Sequence, residues 1–332
     1  MSTERRTSIG GQALIEGIVM RGQHVAALGL RLPNGEIEVT EKKLTPPRER
    51  HKILGLPLIR GVANFVDSMV FGYKCLMESA EKAGLDDTES ESKLDKWIEK
   101  HFGDKIMPVL GVVSSVLGVL IALFLFMYIP TISVDLFDKY VLAGALEARN
   151  LHPLLEGIIK IIIFVAYMAA VAQMKDIKRT FMYHGAEHKT IFCYEHNLPL
   201  TVENVKKQIR FHPRCGTSFM FVIMLISIFF STILILIFPG LSSNRLLWIL
   251  AKLLVLPLVM GVGYEFIRYA GSHDNLFTKI GSAPGLWMQR ISTSEPDDSM
   301  MEVAIAAFKY VLENDDIIKA ENSDEETKND IK

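Results

Sequence analysis

His184 and His188 stand four residues apart with Glu187 between them, and no other residues in this sequence are better suited to chemistry. On a helix, positions four apart share a face, so two imidazoles can converge on one cation with a carboxylate beside them. Imidazole nitrogen is a common zinc donor, and an adjacent carboxylate serves as general base or as a further ligand. The order His-x-x-Glu-His is the inverted zinc-hydrolase pattern. Further on, His212 and Cys215 lie three apart and offer two more donors. Mixed nitrogen and sulfur donors point to a divalent metal, with zinc the default. This reading takes His184, His188, His212 and Cys215 as ligands and Glu187 as the catalytic base. The plainer reading of Cys215 is a small buried hydrophobe, and Cys193 and His196 read as packing and surface residues. Lys189, Arg214, Glu265, Arg268, His273 and Asp274 are candidates for orienting the ligands or holding substrate. An ordinary interfacial charge cluster is the alternative for them.

The elements that must position these residues follow from the apolar runs. Of 332 residues 49% are hydrophobic, gathered in long stretches, which places the chain in the membrane class. Residues 108–129, 154–174, 219–238 and 246–266 each supply about twenty mostly apolar positions, enough at ~1.5 Å per residue to cross a ~30 Å hydrocarbon core. Lys160 and Lys252 interrupt two of them and should face the bundle interior or snorkel. Residues 175–218 hold Lys175, Lys178, Arg179, Lys189, Lys206, Lys207, Arg210 and Arg214, whereas 130–153 holds only Lys139 and Arg149. Positive loops stay in the cytoplasm, so the His/Cys loop and both termini are expected there, in a multi-pass inner-membrane protein. A helix leaving the second span is expected to run on from Met174 toward Glu195, since no Pro interrupts it.

The N-terminal 8–56 read as a cytoplasmic β-rich segment, because Asn34-Gly35 between strand-like runs is a hairpin signal. The glycines of Gly10-Gly11-Gln-Ala-Leu-Ile-Glu-Gly17-Ile-Val-Met-Arg-Gly22 suggest close backbone approaches or turns. Glu16 and Arg21 read as packing residues rather than parts of a site. Residues 57–83 read as an amphipathic helix on the membrane surface or against the bundle, 84–105 as a charged linker, and 106–266 as the membrane domain with its His/Cys loop. Residues 267–314 read as a cytoplasmic segment with a turn at Pro284-Gly285 and a helix opening at Glu295-Pro-Asp-Asp298. Residues 315–332 read as an acidic disordered tail. The first twenty residues carry Arg5, Arg6 and Glu16 and no apolar core, so no cleavable signal is expected. Three cysteines are too few for a disulfide framework and suit a reducing compartment. A net charge of −2 suggests no nucleic-acid partner.

The block Gly10–Gly22, the run Tyr183–Lys189, His212-Pro-Arg-Cys-Gly-Thr-Ser-Phe219 and Glu295-Pro-Asp-Asp298 resemble the signature blocks of the YqhQ-like family. These are bacterial membrane proteins grouped under a domain of unknown function, and the resemblance runs from about Ser8 to Asn314. It implies a multi-pass membrane fold and no established substrate; the family has been described as predicted metal-dependent enzymes. The expected fold class is mainly α, with about four transmembrane helices and a cytoplasmic cap holding a small β-hairpin element. The expected function is a metal-dependent, hydrolytic enzyme at the cytoplasmic membrane face, acting on a lipid or membrane-protein substrate. The alternatives are a membrane scaffold or assembly factor with a structural zinc or no metal, and a small-solute transporter.

Overall fold

Three turns set the N-terminal sheet. Glu16 sits at φ 49° and Gly35 at φ 87°, left-handed positions that a reversal demands and that glycine adopts at no steric cost. In the computed structural model, which describes residues 7–84, 106–142, 151–213, 215–273 and 275–316, the strands are β1 (Gly10–Leu14), β2 (Gly17–Arg21), β3 (Val25–Arg31) and β4 (Ile37–Lys43). They form an antiparallel meander in chain order, so β1 and β4 are its edges. Alternation assigns two buried faces. Ile18, Met20 and Ala27 point one way, Leu14, Val19, Ala26, Leu28 and Leu30 the other.

Each face has its own cover. The second is covered by helix α1 (Ile59–Lys82), through Phe71, Cys75 and Leu76. The opposite face of α1 leaves Val66, Met69, Val70, Tyr73 and Met77 exposed, an apolar stripe of the kind an interfacial helix presents. The first sheet face is covered by two helices from much later in the chain, α5 (Lys175–Glu195) and α9 (Asp298–Asn314). Asp297 caps α9 by accepting from the Met300 amide at 2.9 Å, as an acidic residue at a helix start should. Gly29 has room for no side chain, since a Cβ there would stand 3.0 Å from that of Ala307.

Four helices are long and apolar enough to cross a membrane. They lie within α2 (Ile106–Leu123), which continues through a π turn into α3 (Ile129–Phe137), and within α4 (His152–Val171), α6 (Gly216–Ile237) and α7 (Arg245–Ser272). Their outward surfaces are apolar, with Leu254 83% exposed, which suits lipid rather than water. The chain is therefore mainly helical, with four membrane-type spans and one small sheet. By internal contacts the chain divides into two units, 1–85 with 168–222 and 260–332, and 86–167 with 223–259.

Within the second unit the span residues satisfy one another. Glu156, 2% exposed, accepts from Thr131 Oγ1 at 2.9 Å and from Trp248 Nε1 at 2.8 Å, and it pairs with Lys252. Lys252 thus faces protein, as a cation in a span should. Asp135 similarly receives His152 at 2.8 Å and Arg245 at 2.7 Å.

Three local expectations change. The second span does not run on into α5: Met174 is extended (φ −70°, ψ 134°) and a new helix begins at Lys175, so the span and the histidine helix are separate rods. Pro284 lies inside α8 (Leu276–Ser292) rather than in a turn. Its position in the third turn is tolerated, though Pro removes one backbone bond there. Residues 130–142, expected as loop, are helical. The charged linker 85–105, most of the acidic tail (317–332), Arg214 and Asp274 lie outside the described residues.

Gly185 is where the histidine helix meets the segment leading into α9. A Cβ there would overlap the Ser294 carbonyl and reach within 3.3 Å of Pro296. Gly185→Ala should therefore destabilise the folded protein by about 1–3 kcal/mol, read as a lowered melting temperature in detergent. An unchanged melt would show that the two segments separate freely.

Candidate metal centre

Helix α5 is a segment with no Pro, opening with Asp176 in its first turn. Its 3.6-residue period places His184 and His188 one above the other, ring centroids 4.4 Å apart. Cys215 is delivered from the residue before α6. His184 Nε2 lies 3.1 Å from Cys215 Sγ, and one donor atom from each of His184, His188 and Cys215 falls within 4.8 Å of the others.

Both rings are oriented by backbone carbonyls. His184 Nδ1 donates to the Ser292 carbonyl at 2.8 Å and His188 Nδ1 to the Arg210 carbonyl at 2.6 Å. With Nδ1 carrying the proton, Nε2 of each ring is left as the lone-pair donor. This is how ligating histidines are usually held in a single tautomer.

Glu187 is 5% exposed and turns toward the sheet. Its carboxylate accepts from the Gly11 amide on β1, and a Cβ at Gly11 would come within 2.9 Å of the Glu187 carboxyl carbon. Glycine at position 11 is thus what lets the strand and the helix approach. The second oxygen, Oε2, is buried with no hydrogen-bond partner among the described residues, an expensive state for a carboxylate unless a cation, a proton or substrate completes it.

The histidines, Glu187 and Cys215 line a cavity of about 840 Å³, walled by Thr7–Ala13 on one side and by Tyr264, Ile267 and Arg268 on another. Charge in the metal-free centre is strongly coupled. Burial drives the Cys215 thiol up, but the His184 and His188 rings overcome it and hold Cys215 well below an ordinary thiol. Burial likewise pulls His184 down, yet the Cys215 sulfur and Glu187 push it up to about 9. Burial raises Glu187 above the ordinary carboxylate range. Two imidazoles and a sulfur already biased toward thiolate are a donor set that suits zinc, and the orphaned oxygen beside them is consistent with a bound group. The residues present fit a divalent metal.

The other candidates are placed as follows. His212 is adjacent, its ring 5.6 Å from that of His188, but its Nε2 faces Glu195 at 3.5 Å. Its backbone is clamped by Gln289, which accepts from the His212 amide and donates to its carbonyl, both at 2.7 Å. Lys189 pairs with Glu295 at 2.7 Å and donates to the Lys206 carbonyl at 3.1 Å, fastening the C-terminal segment to α5. Glu265 pairs with Arg60 of α1, and His273 stacks on Tyr269 at 4.1 Å. Arg268 reaches the cavity. Glu16 pairs with Arg179, its Oε2 2.6 Å from Nη2, and Arg21 with Asp67 at 2.8 Å; both tie elements together. Sequence reasoning missed the carbonyls of Arg210 and Ser292, the Gln289 clamp, and Gly11. Only Gly11 had a signal, in the glycine pair at 10–11.

A family described as "Protein of unknown function (DUF1385)" matches residues 56–314. The chain is similar to "Uncharacterized protein YqhQ" of Bacillus subtilis (strain 168), 32% identical over 304 residues, which cover 91% of this chain and 92% of that protein. No solved structure matches.

Two outcomes test the centre. His188→Ala and Cys215→Ala should each strip near-stoichiometric metal from the purified protein, measured by elemental analysis, whereas His212→Ala should retain most of it. In chelator-treated protein at pH 7 the charged pair predicts a thiolate at Cys215 and a proton on His184. Ultraviolet thiolate absorbance should be present in that sample, absent in Cys215→Ser, and lost on acidification as the sulfur is protonated.

Proposed function

We propose, on the premise that the chain belongs to the DUF1385 family, whose description assigns no activity, that it is a metal-dependent hydrolase working at the cytoplasmic face of a membrane. The observation that carries the reading is the number and setting of the donors. Among the described residues, His184, His188 and Cys215 form a cluster of three on the wall of a cavity, with the unpartnered Glu187 Oε2 beside them. Structural zinc sites are closed by four protein ligands, whereas catalytic ones have three and an open position. A cluster of three on a cavity therefore favours the enzyme over the scaffold.

The roles follow from the geometry. His184, His188 and Cys215 would hold the cation. When bound, a zinc ion supplies Lewis acidity toward a carbonyl or phosphoryl oxygen at neutral pH. Glu187, fixed through one oxygen by the Gly11 amide, keeps Oε2 free to take a proton from an attacking water and return it to the leaving group. The Ser292 and Arg210 carbonyls fix the rings so that no reorganisation is needed. The basic residues between 175 and 218 support a cytoplasmic location under the positive-inside rule. The partner of Lys252 is the Glu156 carboxylate, which accounts for that lysine without a transport path.

Glu187→Gln separates the readings. It should keep near-stoichiometric metal and lower turnover of ester, phosphoester and peptide reporters by about 100-fold or more. Wild-type turnover by that variant, or metal-free wild-type protein with an intact fold, overturns the proposal.

A further inference from the structure

We propose that the substrate of this centre is an extended polypeptide segment, bound as an added strand along the open edge of β1. The inference rests on the hydrolytic reading above and names its substrate class.

The register shows which backbone groups are available. Gly22 donates to the Val25 carbonyl and Arg31 to the Glu16 carbonyl, both at 2.8 Å, so Glu16, Ile18, Met20 and Gly22 bond toward β3. Alternation then turns Gly17, Val19 and Arg21 toward β1, where their partners are Leu14, Gln12 and Gly10. Ile9, Gly11 and Ala13 are left with their amides and carbonyls directed away from the sheet. The Ile9 amide is taken by Thr7 Oγ1 at 3.1 Å and the Gly11 amide by Glu187. Among the described residues, the Gly11 carbonyl and both backbone groups of Ala13 have no partner off the sheet.

These groups border the cavity that holds the metal ligands. Sheet edges are ordinarily guarded by lysine, proline, a bulge or a covering element. The sequence of β1 is Gly-Gly-Gln-Ala-Leu, and residues 10–12 are exposed. The open part of this edge, the Gly11 carbonyl and both backbone groups of Ala13, offers main-chain bonds of the kind by which extended peptides are recognised irrespective of most side chains. Because Gly11 touches Glu187, a strand paired at Gly11 and Ala13 passes directly beside the proposed base. Phe181, Tyr264 and Ile267 supply apolar surface for its side chains. The main competitor is a lipid phosphate, which calls for clustered cations. Arg268 is the one lysine or arginine among the described lining residues, so the charge favours the polypeptide.

The reaction is peptide hydrolysis. The oxygen of water bonds to the peptide carbonyl carbon and the C–N bond breaks. One water proton travels through Glu187 Oε2 to the leaving nitrogen. The other passes from the new carboxyl group to the amine, leaving a carboxylate and an ammonium.

The test uses full-length, zinc-loaded protein in detergent with fluorescein-labelled casein, a chain without fixed tertiary structure, and in parallel phosphatidylglycerol vesicles. Wild-type protein should cut casein and leave the vesicle lipid intact. Ala13→Pro removes an outward amide and no bond of the sheet. It should keep its metal while cleaving casein roughly tenfold more slowly or worse, the scale of one or two lost hydrogen bonds. A peptide copied from the cleaved casein segment should be cut, and its counterpart N-methylated at alternate residues should resist; this arm holds even where the proline variant fails to fold. Metal-loaded wild-type protein that spares casein, or that hydrolyses the lipid instead, overturns the proposal while leaving the metal reading standing. So does equal cutting of the methylated and plain peptides. Wild-type protein without metal overturns the metal reading itself, and this one with it.

Discussion

The meeting of Gly11 and Glu187 is the constraint from which the rest of the site follows. A carboxylate buried this deeply needs a donor, and it finds one in a strand amide from the far end of the chain. The approach is possible only where the strand carries no side chain. Once one oxygen is anchored, the other is left buried without a partner among the described residues, and the imidazoles of His184 and His188 are aimed by the same helix rotation. The sheet does for this site what a neighbouring side chain does in many others: it fixes the carboxylate with main chain.

The same economy governs the two histidines. Each imidazole is oriented by a carbonyl, one from Arg210 before α6 and one from Ser292 at the end of α8. The segment before α6 also delivers Cys215, whereas α8 contributes no side chain to the cluster, and both decide where the Nε2 atoms point. Electrostatics reinforces the arrangement. A sulfur driven toward thiolate and an imidazole driven toward its charged form stabilise each other in a setting that penalises either alone. Around them, Lys189, Arg210 and Glu295 pin the C-terminal segment to the histidine helix.

Much of this was legible in the sequence, in proportion to how local the physics is. The four spans are readable from hydropathy because a bilayer demands some twenty apolar residues in a row. The β3–β4 reversal is readable from Asn34-Gly35 because positive φ selects glycine. The pairing of His184 with His188 follows from helix geometry alone. That Cys215 rather than His212 closes the cluster is not local: it depends on Gln289 gripping the backbone at 212 and on Glu195 facing that ring. The break at Met174 has no Pro or Gly to announce it, and Pro284 announces a turn that the surrounding helix overrides. Backbone carbonyls leave no trace in residue identity, which is why the groups that orient the two imidazoles could not be named beforehand.

The sheet has a further consequence for how the protein comes to exist. Its strands precede every described helix along the chain, but α9, which with α5 buries Ile18, Met20 and Ala27, is the last described helix. While the last spans are being threaded into the bilayer, one greasy side of the newborn sheet lacks part of its permanent cover. All four spans must be made before Ser292 can steady His184. Biogenesis therefore runs with His184 incompletely oriented until the end of α8 emerges, and a message cut short upstream of α9 yields a protein with its spans but a partly uncovered sheet.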